Sequence, residues 1–278
     1  MVIRVNRGGK AGAPSFFSGM SEIFRNVVAH RNLTKHMISK DLKLAYHGTF
    51  LGYAWTLLEP IFLTLIFYVL FHILRGGADE FLALKVMLGI LFYTCFSRTV
   101  SSCTNSLVAN TSLINQVYFP REIFHVSIIG YQLLRLLMSL FVIIPMMFWW
   151  KIAPTPYMML LLLASLGVSM LALGLGFITS VIQVRVRDLS QFVSIILRAG
   201  FFLSGVFYGA EHVPEEWLDL HLLNPVATNI ELARSAVLGD MGALSLKHIS
   251  VSLVSSFVVL LLGMSIFKKY EARVVKFL

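Results

Sequence analysis

Long apolar runs constrain this chain more than any other feature of its sequence. Six runs are each close to 20 residues or longer, and they cover about residues 55–74, 84–107, 126–150, 157–184, 189–208 and 249–267. A helix of roughly 20 residues, rising 1.5 Å per residue, crosses the hydrocarbon layer of a bilayer. The runs therefore predict an all-α integral membrane protein with six transmembrane helices.

The composition excludes a soluble globule. Hydrophobic residues make up 57% of the 278 residues and charged residues only 13%, whereas a soluble domain carries roughly 25% charged residues. The net charge of +9 would also suit a nucleic-acid binder. In a membrane protein, the same balance is explained by lysine and arginine held on the cytoplasmic side. We therefore expect membrane lipids, and no nucleic acid, among the partners.

The distribution of charge predicts the orientation of the chain. Basic residues are concentrated before residue 55, in the turn at 185–188 and after residue 267, which lie on one side of a six-span protein. The long loop at about 209–248 instead carries six acidic residues against only Arg234 and Lys247. Cytoplasmic loops carry the excess of lysine and arginine. We therefore expect both termini in the cytoplasm and the 209–248 loop outside.

Residues 1–54 precede the first span and form a predicted cytoplasmic segment, with residues 55–278 as the membrane domain. Between Ser21 and Tyr46, apolar residues recur at helical spacing with basic residues between them: Ile23, Val27, Leu33, Met37, Leu42 and Ala45. Such an amphipathic helix lies in the membrane interface, with its apolar stripe in lipid and its lysines at anionic headgroups. The alternative is a soluble helix packed on a partner.

Charged residues inside the spans are candidates for a substrate path. Glu59, Arg98, Arg135 and Arg198 are all predicted in the cytoplasmic half of the membrane, at depths of about 6–14 Å. Charges in a membrane are costly, and they usually face a cavity or a partner. One acid against three arginines leaves a layer of net positive charge in the spans, which suits an anionic group such as a phosphate. The alternative is a Glu59–Arg98 pair plus snorkelling arginines that tie helices together.

Motifs for catalysis and for nucleotide binding are absent from the sequence. It contains no G-x-x-x-x-G-K-[ST], H-E-x-x-H, C-x-x-C or G-x-S-x-G pattern, so we expect neither ATP nor a metal to bind this chain. Cys95 and Cys103 stand eight residues apart in one run, about 12 Å along a helix, which is too far for a disulfide. They are interpreted as small packing residues.

Four local patterns, in this order and among six spans, resemble one family. They are KDLK at 40–43 with LGYAW at 51–55 and LEP at 58–60; VYFPREI at 117–123; RDL at 187–189 with FLSGV at 202–206; and LNP at 223–225. Together they resemble the ABC-2 type permeases that export lipid-linked polysaccharides such as O-antigen, capsule and teichoic acid. The resemblance extends from about residue 35 to the end.

The resemblance implies an assembly and a coupling loop. It implies a homodimer in the bacterial inner membrane, bound to two copies of a cytoplasmic ABC ATPase that holds ATP and Mg²⁺. It also implies that the loop between spans two and three contacts the ATPase, here through Asn115, Val117, Phe119, Pro120, Arg121 and Glu122. Pro120 suits the first turn of a helix, and Glu122 suits its positive end. The alternative for this loop is an ordinary re-entry turn.

The resemblance further implies an external gate. The loop after span five would re-enter the membrane as short helices, with Pro214, Trp217, Asn224 and Pro225 as gate residues. The alternative is a simple extracellular cap. Aromatic residues in and near the spans would let sugar rings slide without tight binding, and we assign Phe62, Tyr68, Phe202 and Tyr208 to the substrate path. Packing against lipid or other helices is the alternative for these rings.

The sequence thus favours a permease subunit of an ATP-driven polysaccharide exporter, without enzymatic activity of its own. One alternative is an integral membrane enzyme acting on a lipid-linked sugar. Such an enzyme should show paired acids with an accompanying base, and we assign no such base to the adjacent acids Glu215 and Glu216. A second alternative is an ABC-2 permease for drugs or small lipids, which differs in substrate and not in fold.

Overall fold

The computed structural model describes residues 16–75, 80–116 and 120–274, and all regular structure in these ranges is helical. The helices are α1 (Phe16–Ala29), α2 (Arg31–Tyr46), α3 (Trp55–Arg75), α4 (Leu82–Ala109), α5 (Thr111–Gln116), α6 (Glu122–Leu140), α7 (Ile143–Trp149), α8 (Leu160–Arg185), α9 (Leu189–Leu203), α10 (Glu215–Leu223), α11 (Pro225–Leu238) and α12 (Leu246–Val274). Short 3₁₀ helices precede α3, α8 and α10, at Gly52–Ala54, Pro156–Met159 and Ala210–His212. The predicted all-α class is confirmed.

Five helical segments of the described chain are long and apolar enough to cross a membrane. They are Gly52–Ile73, Leu82–Ala109, Glu122–Trp149, Pro156–Arg185 and Leu246–Glu271, and each coincides with a predicted span. The predicted span at 189–208 contains α9, an apolar helix of 15 residues. A helix of that length reaches about 22 Å, less than the roughly 30 Å of hydrocarbon. The sixth span and the orientation of the termini therefore stay predictions.

Helix α8 lies at the centre of the fold, and glycines bring its neighbours close. A Cβ atom added at Gly263 of α12 would lie 2.2 Å from the carbonyl oxygen of Gly174 on α8. One added at Gly176 would lie 2.5 Å from the Cβ of Cys103 on α4. Small residues allow such close approach between membrane helices, where packing rather than the hydrophobic effect drives association. Helices α4 and α12 therefore pack closely on α8, and α11 contributes buried residues such as Val226, Ile230 and Ala233 to the same core.

The predicted span at 126–150 consists of two helices. Helix α6 ends at Leu140, Phe141 and Val142 form a turn, and α7 continues from Ile143. Pro145 explains the break, because its ring lacks an N–H donor and crowds the carbonyl of the residue four positions earlier, which is Phe141.

The predicted amphipathic helix at 21–46 is also two helices. The chain turns at His30, whose φ of −104° and ψ of 25° lie outside the helical region. Helix α1 packs against α12 and buries Ile23, which is 2% exposed. Helix α2 packs against α6, where Ile38 lies against Gly130. The location of helices α1 and α2 in the membrane interface stays a prediction. The domain division at residue 54 stays one as well.

Candidate functional site

Three of the four predicted span charges meet in one cluster. Glu59 on α3 forms an ion pair with Arg98 on α4, and Arg135 Nη2 on α6 lies 3.3 Å from Glu59 Oε2. The Glu59 and Arg98 side chains are 40% and 34% exposed, and that of Arg135 is 16% exposed. The pair expected from sequence as an alternative is thus present, and Arg135 shares its carboxylate. The cluster keeps one excess positive charge.

Two grooves flank this cluster, and Arg98 lines both. The first has a volume of about 590 Å³ and includes Glu59, Arg135 and the half-exposed ring of Phe62. The second has a volume of about 430 Å³ and is lined by Arg198, Phe202 and three serines, Ser97, Ser101 and Ser194. Arg198 is exposed and forms no ion pair with any residue that the structure describes. Guanidinium and hydroxyl groups of this kind can bind an anionic group.

The predicted aromatic residues separate into two sets. Phe62 and Phe202 line the grooves and expose 51% and 60% of their surface. Tyr68 instead lies 6.1 Å from the ring of His72, centroid to centroid, further along α3. Tyr208 lies 5.6 Å from the ring of His221 on α10. Tyr208 therefore belongs to the region of α10 and α11 and not to the grooves.

The predicted coupling residues differ in their exposure to solvent. Asn115 is exposed near the end of α5, whereas Val117 and Phe119 lie outside the described residues. Arg121 and Glu122, which follow the half-buried Pro120, point into the protein. The Glu122 side chain is 0% exposed, and its Oε1 lies 3.0 Å from Lys268 Nζ on α12. These two charged residues consequently interact with other residues of this chain and do not form an exposed surface.

Short helices, which the resemblance implied for the 209–248 loop, are present there as α10 and α11. Pro214 immediately precedes α10, and Trp217 exposes 59% of its surface. Asn224 caps α11, because its side chain accepts a hydrogen bond from the backbone N–H of Val226 at 3.0 Å. Pro225 occupies the first turn, where its missing donor costs nothing.

Sequence reasoning missed a buried ion pair in α11. Arg234, which is 2% exposed, binds Glu231 at 2.7 Å. It also donates to four backbone carbonyls, at distances of 2.8–3.0 Å, those of Lys85, Gly205, Val206 and Tyr208. From sequence, both residues counted as loop charges. The signal in the sequence is that Glu231 and Arg234 are the only charged residues of 225–238 and stand three apart, which places them on one helix face.

Burial and nearby charges set the protonation states beside these helices. Burial lowers the pKa of His221, the positive charge of Arg234 acts in the same direction, and Glu231 opposes both. Burial would raise the pKa of Glu211, but the hydrogen bond and the charge of Lys85 outweigh it and hold that pKa below its usual value. Burial thus disfavours the charged imidazolium of His221, whereas Lys85 favours the ionised carboxylate of Glu211.

The described chain is thus a multi-pass helical membrane protein with charged grooves along its spans, which is the arrangement of a transport permease. Within the described ranges, no three His, Cys, Asp or Glu side chains come together to hold a metal ion. A family model described as ABC-2 type transporter matches residues 32–238. The chain belongs to that family, as the sequence patterns predicted.

Several relatives match most of the chain. It is 25% identical over 236 residues to the "O-antigen export system permease protein RfbA" of Klebsiella pneumoniae, covering 84% of this chain and 90% of that protein. It is 25% identical over 241 residues to the "Polysialic acid transport protein KpsM" of Escherichia coli, covering 84% and 91%. It is 21% identical over 263 residues to the "Capsule polysaccharide export inner-membrane protein CtrC" of Neisseria meningitidis serogroup A, covering 91% and 97%.

Proposed function

We propose that this chain is the permease subunit of an ATP-driven exporter that moves a lipid-linked polysaccharide across the bacterial inner membrane. The observation that carries the proposal is the family match over residues 32–238, a stretch that includes both grooves, the coupling loop, α10 and α11. The relatives are named for transport or export of O-antigen, polysialic acid or capsule polysaccharide. Those names favour transport over an integral membrane enzyme.

ATP and Mg²⁺ bind, in this proposal, to two copies of a separate cytoplasmic ATPase subunit. The described part of the coupling loop offers an exposed surface for that partner on α5, at Ser112, Leu113, Asn115 and Gln116. Closure of the ATPase pair on ATP would move this loop and bias the spans between two states. Helices α10 and α11 would act as the external gate.

The proposed topology has six spans with both termini in the cytoplasm. Helix α9 would supply the fifth crossing together with the residues that follow it up to Tyr208. Its charge pattern is consistent with this assignment, since Arg185 and Arg187 precede α9 and the acidic 209–248 loop follows it. The alternative count of five spans would place the two termini on opposite sides.

The substrate path runs, in the same proposal, along the grooves that Arg98 joins. An anionic group of the lipid-linked substrate would meet Arg98 and Arg198, which together have more positive charge than Glu59 can neutralise. Sugar rings would pass over the exposed faces of Phe62 and Phe202. Much of the surface of α3 is apolar and exposed, and a second copy of the chain would cover it in a homodimer.

The test has two parts. A tagged chain, expressed from its own promoter, is purified, and in a separate strain the gene is deleted. We expect an ABC ATPase to copurify, and we expect a lipid-linked glycan to accumulate inside the deletion strain. The substitution Arg198→Gln should leave the complex intact and slow export, whereas Lys247→Gln, an exposed control outside the path, should not. Normal surface glycan in the deletion strain would contradict the proposal and favour a drug or small-lipid permease.

A further inference from the structure

A network of charged and polar side chains surrounds the first turn of α6. Asn26 of α1 donates a hydrogen bond to Glu122 Oε1 at 2.8 Å, and Lys268 Nζ of α12 lies 3.0 Å from the same oxygen. Arg121 Nη1 lies 3.1 Å from Glu271 Oε1, also on α12. Lys268 completes the network with Glu271 at 3.2 Å and Glu22 at 3.5 Å. We call these six residues the cytoplasmic charge network.

Glu122 is the critical member of this network. Its side chain is 0% exposed and that of Lys268 is 9% exposed, so water screens their attraction little. A buried carboxylate that loses its cationic partner is strongly destabilised, because it has already given up its hydration. Lys268 has two other carboxylates within 3.5 Å, so it tolerates the loss of Glu122 better than Glu122 tolerates the loss of Lys268.

One turn further along α6, His125 joins the same end of the helix to the core. Its ring stacks on Phe177 of α8 with centroids 4.6 Å apart, and its edge faces Phe267 of α12 at 4.9 Å. His125 Nε2 hydrogen-bonds Ser180 Oγ of α8 at 2.8 Å. The first turns of α6 are therefore joined to α1, α8 and α12 by side chains with little freedom to rearrange.

We infer that Glu122 and Lys268 are positioning residues, which make the start of α6 move as one body with α1 and the cytoplasmic end of α12. The inference rests on the proposed function in one respect, namely that the loop ending at Arg121 contacts an ATPase. Arg121 and Glu122 then transmit the motion of the loop from within the protein and do not form the contact surface. Motion of the loop reaches α12 directly, and not only the helix to which the loop is covalently joined.

The first experiment separates folding from coupling. The variants are Glu122→Gln, Lys268→Gln, their double combination and Lys269→Gln, a matched control one residue away whose side chain is exposed. Each is purified with its ATPase, and ATP hydrolysis and export are measured in proteoliposomes. Lys268→Gln should reduce the folded amount most, because it leaves Glu122 buried without a cation. The double variant should recover much of that amount.

Coupling should not recover with folding. In Glu122→Gln and in the double variant, we expect normal copurification of the ATPase but export per ATP lowered about three- to tenfold, a typical size for coupling effects. The Lys269→Gln control should match the unmodified chain. Export per ATP at the normal level in the double variant would overturn the inference, since the network would then serve stability alone.

The second experiment measures the motion itself. Spin labels placed by Ser112→Cys on α5 and Arg273→Cys on α12 report the distance between the loop and α12; the native Cys95 and Cys103 are buried and stay unlabelled. We expect the distance to be the same without nucleotide and with ATP trapped, and to change on ATP binding once Glu122→Gln and Lys268→Gln are introduced. A change of equal size in the unmodified network would overturn the inference. If no ATPase copurifies with the unmodified chain, the proposed function fails and the inference fails with it.

Discussion

Glu59 shows how one carboxylate inside a span can pair with two arginine side chains. Arg98 and Arg135 approach its two different oxygens, so neither arginine is the sole partner. The three residues come from α3, α4 and α6, and the cluster therefore ties three helices together while leaving a surplus positive charge beside the grooves. Removal of one arginine and removal of the carboxylate should consequently have unequal effects.

Arg98→Gln should cost less stability than Glu59→Gln. The first change leaves the Glu59–Arg135 pair intact, and we expect a loss below about 1 kcal/mol, as for partly exposed ion pairs. The second leaves two neighbouring guanidinium groups without a carboxylate, and we expect about 2 kcal/mol, less than for a fully buried pair because water reaches the site. Thermal unfolding of the purified protein measures both.

Glu80→Gln, at an exposed acid away from the cluster, is the control for the loss of one negative charge. Equal destabilisation by Arg98→Gln and Glu59→Gln would show that Arg135 does not substitute for Arg98.

The residue scale is also where sequence reasoning reached its limit. The Glu59–Arg98 pair was foreseeable because both residues lie at similar depths in consecutive spans. The inward orientation of Glu122 was not, because an acid at the start of a helix is favoured by the helix dipole whichever side it faces. Its partner Lys268 comes from the far end of the sequence, and no local pattern connects them.

At the scale of helices, the crossing of α8 and α12 depends on two glycines. An added Cβ at Gly263 would meet the backbone of Gly174 at 2.2 Å, and backbone atoms cannot move aside without separating the helices. An added Cβ at Gly130 would instead meet side-chain atoms of Ile38, the terminal methyl carbon at 2.5 Å and Cγ1 at 3.2 Å, and a side-chain rotation relieves these contacts. The two positions are therefore a matched pair for testing close packing.

Gly263→Ala should destabilise the protein by about 2 kcal/mol or more, since overpacking typically costs 1–3 kcal/mol. Gly130→Ala should cost less than about 1 kcal/mol, because Ile38 can adapt and alanine favours the helix. Unfolding midpoints of the two variants in the same detergent provide the measurement. A larger loss for Gly130→Ala would mean that the α8–α12 crossing is not the tighter one.

Helix positions were predictable to within a few residues because apolar length decides what can lie in a membrane. The run at 84–107, for example, appears as α4 at Leu82–Ala109. The breaks at His30 and at 141–142 were not predicted, since the apolar pattern continues across both. Pro145 was visible in sequence, but a proline inside a span also occurs within a single helix, as Pro60 does in α3.

At the scale of the whole molecule, the orientation in the membrane decides the direction of transport. The cysteine introduced by Glu216→Cys should react with a membrane-impermeant reagent on spheroplasts whose inner membrane is intact, because we expect the α10 region on the outer side of that membrane. Cysteine placed by Arg187→Cys should react only after permeabilisation. Both native side chains are exposed in the structure, so accessibility of the thiol is not limited by packing.

The opposite labelling pattern would contradict the proposed orientation. Labelling of both positions from the same side would instead indicate that α9 does not cross the membrane, and the count of five spans would then hold. Labelling of Arg187→Cys from outside would also place α5 outside, where a cytoplasmic ATPase could not bind it.

The pairing of Glu122 with Lys268 also has a consequence for how the chain is made. Ribosomes complete domains from the N-terminus onward, so α6 enters the membrane before α7 to α11 and well before α12. Until α12 is synthesised, Glu122 lacks the cation that the finished fold supplies, and Gly174 of α8 lacks the helix that covers it. A nascent chain that stops before α12 therefore carries an uncovered acid and an open helix face, both of which the last helix covers in the finished protein.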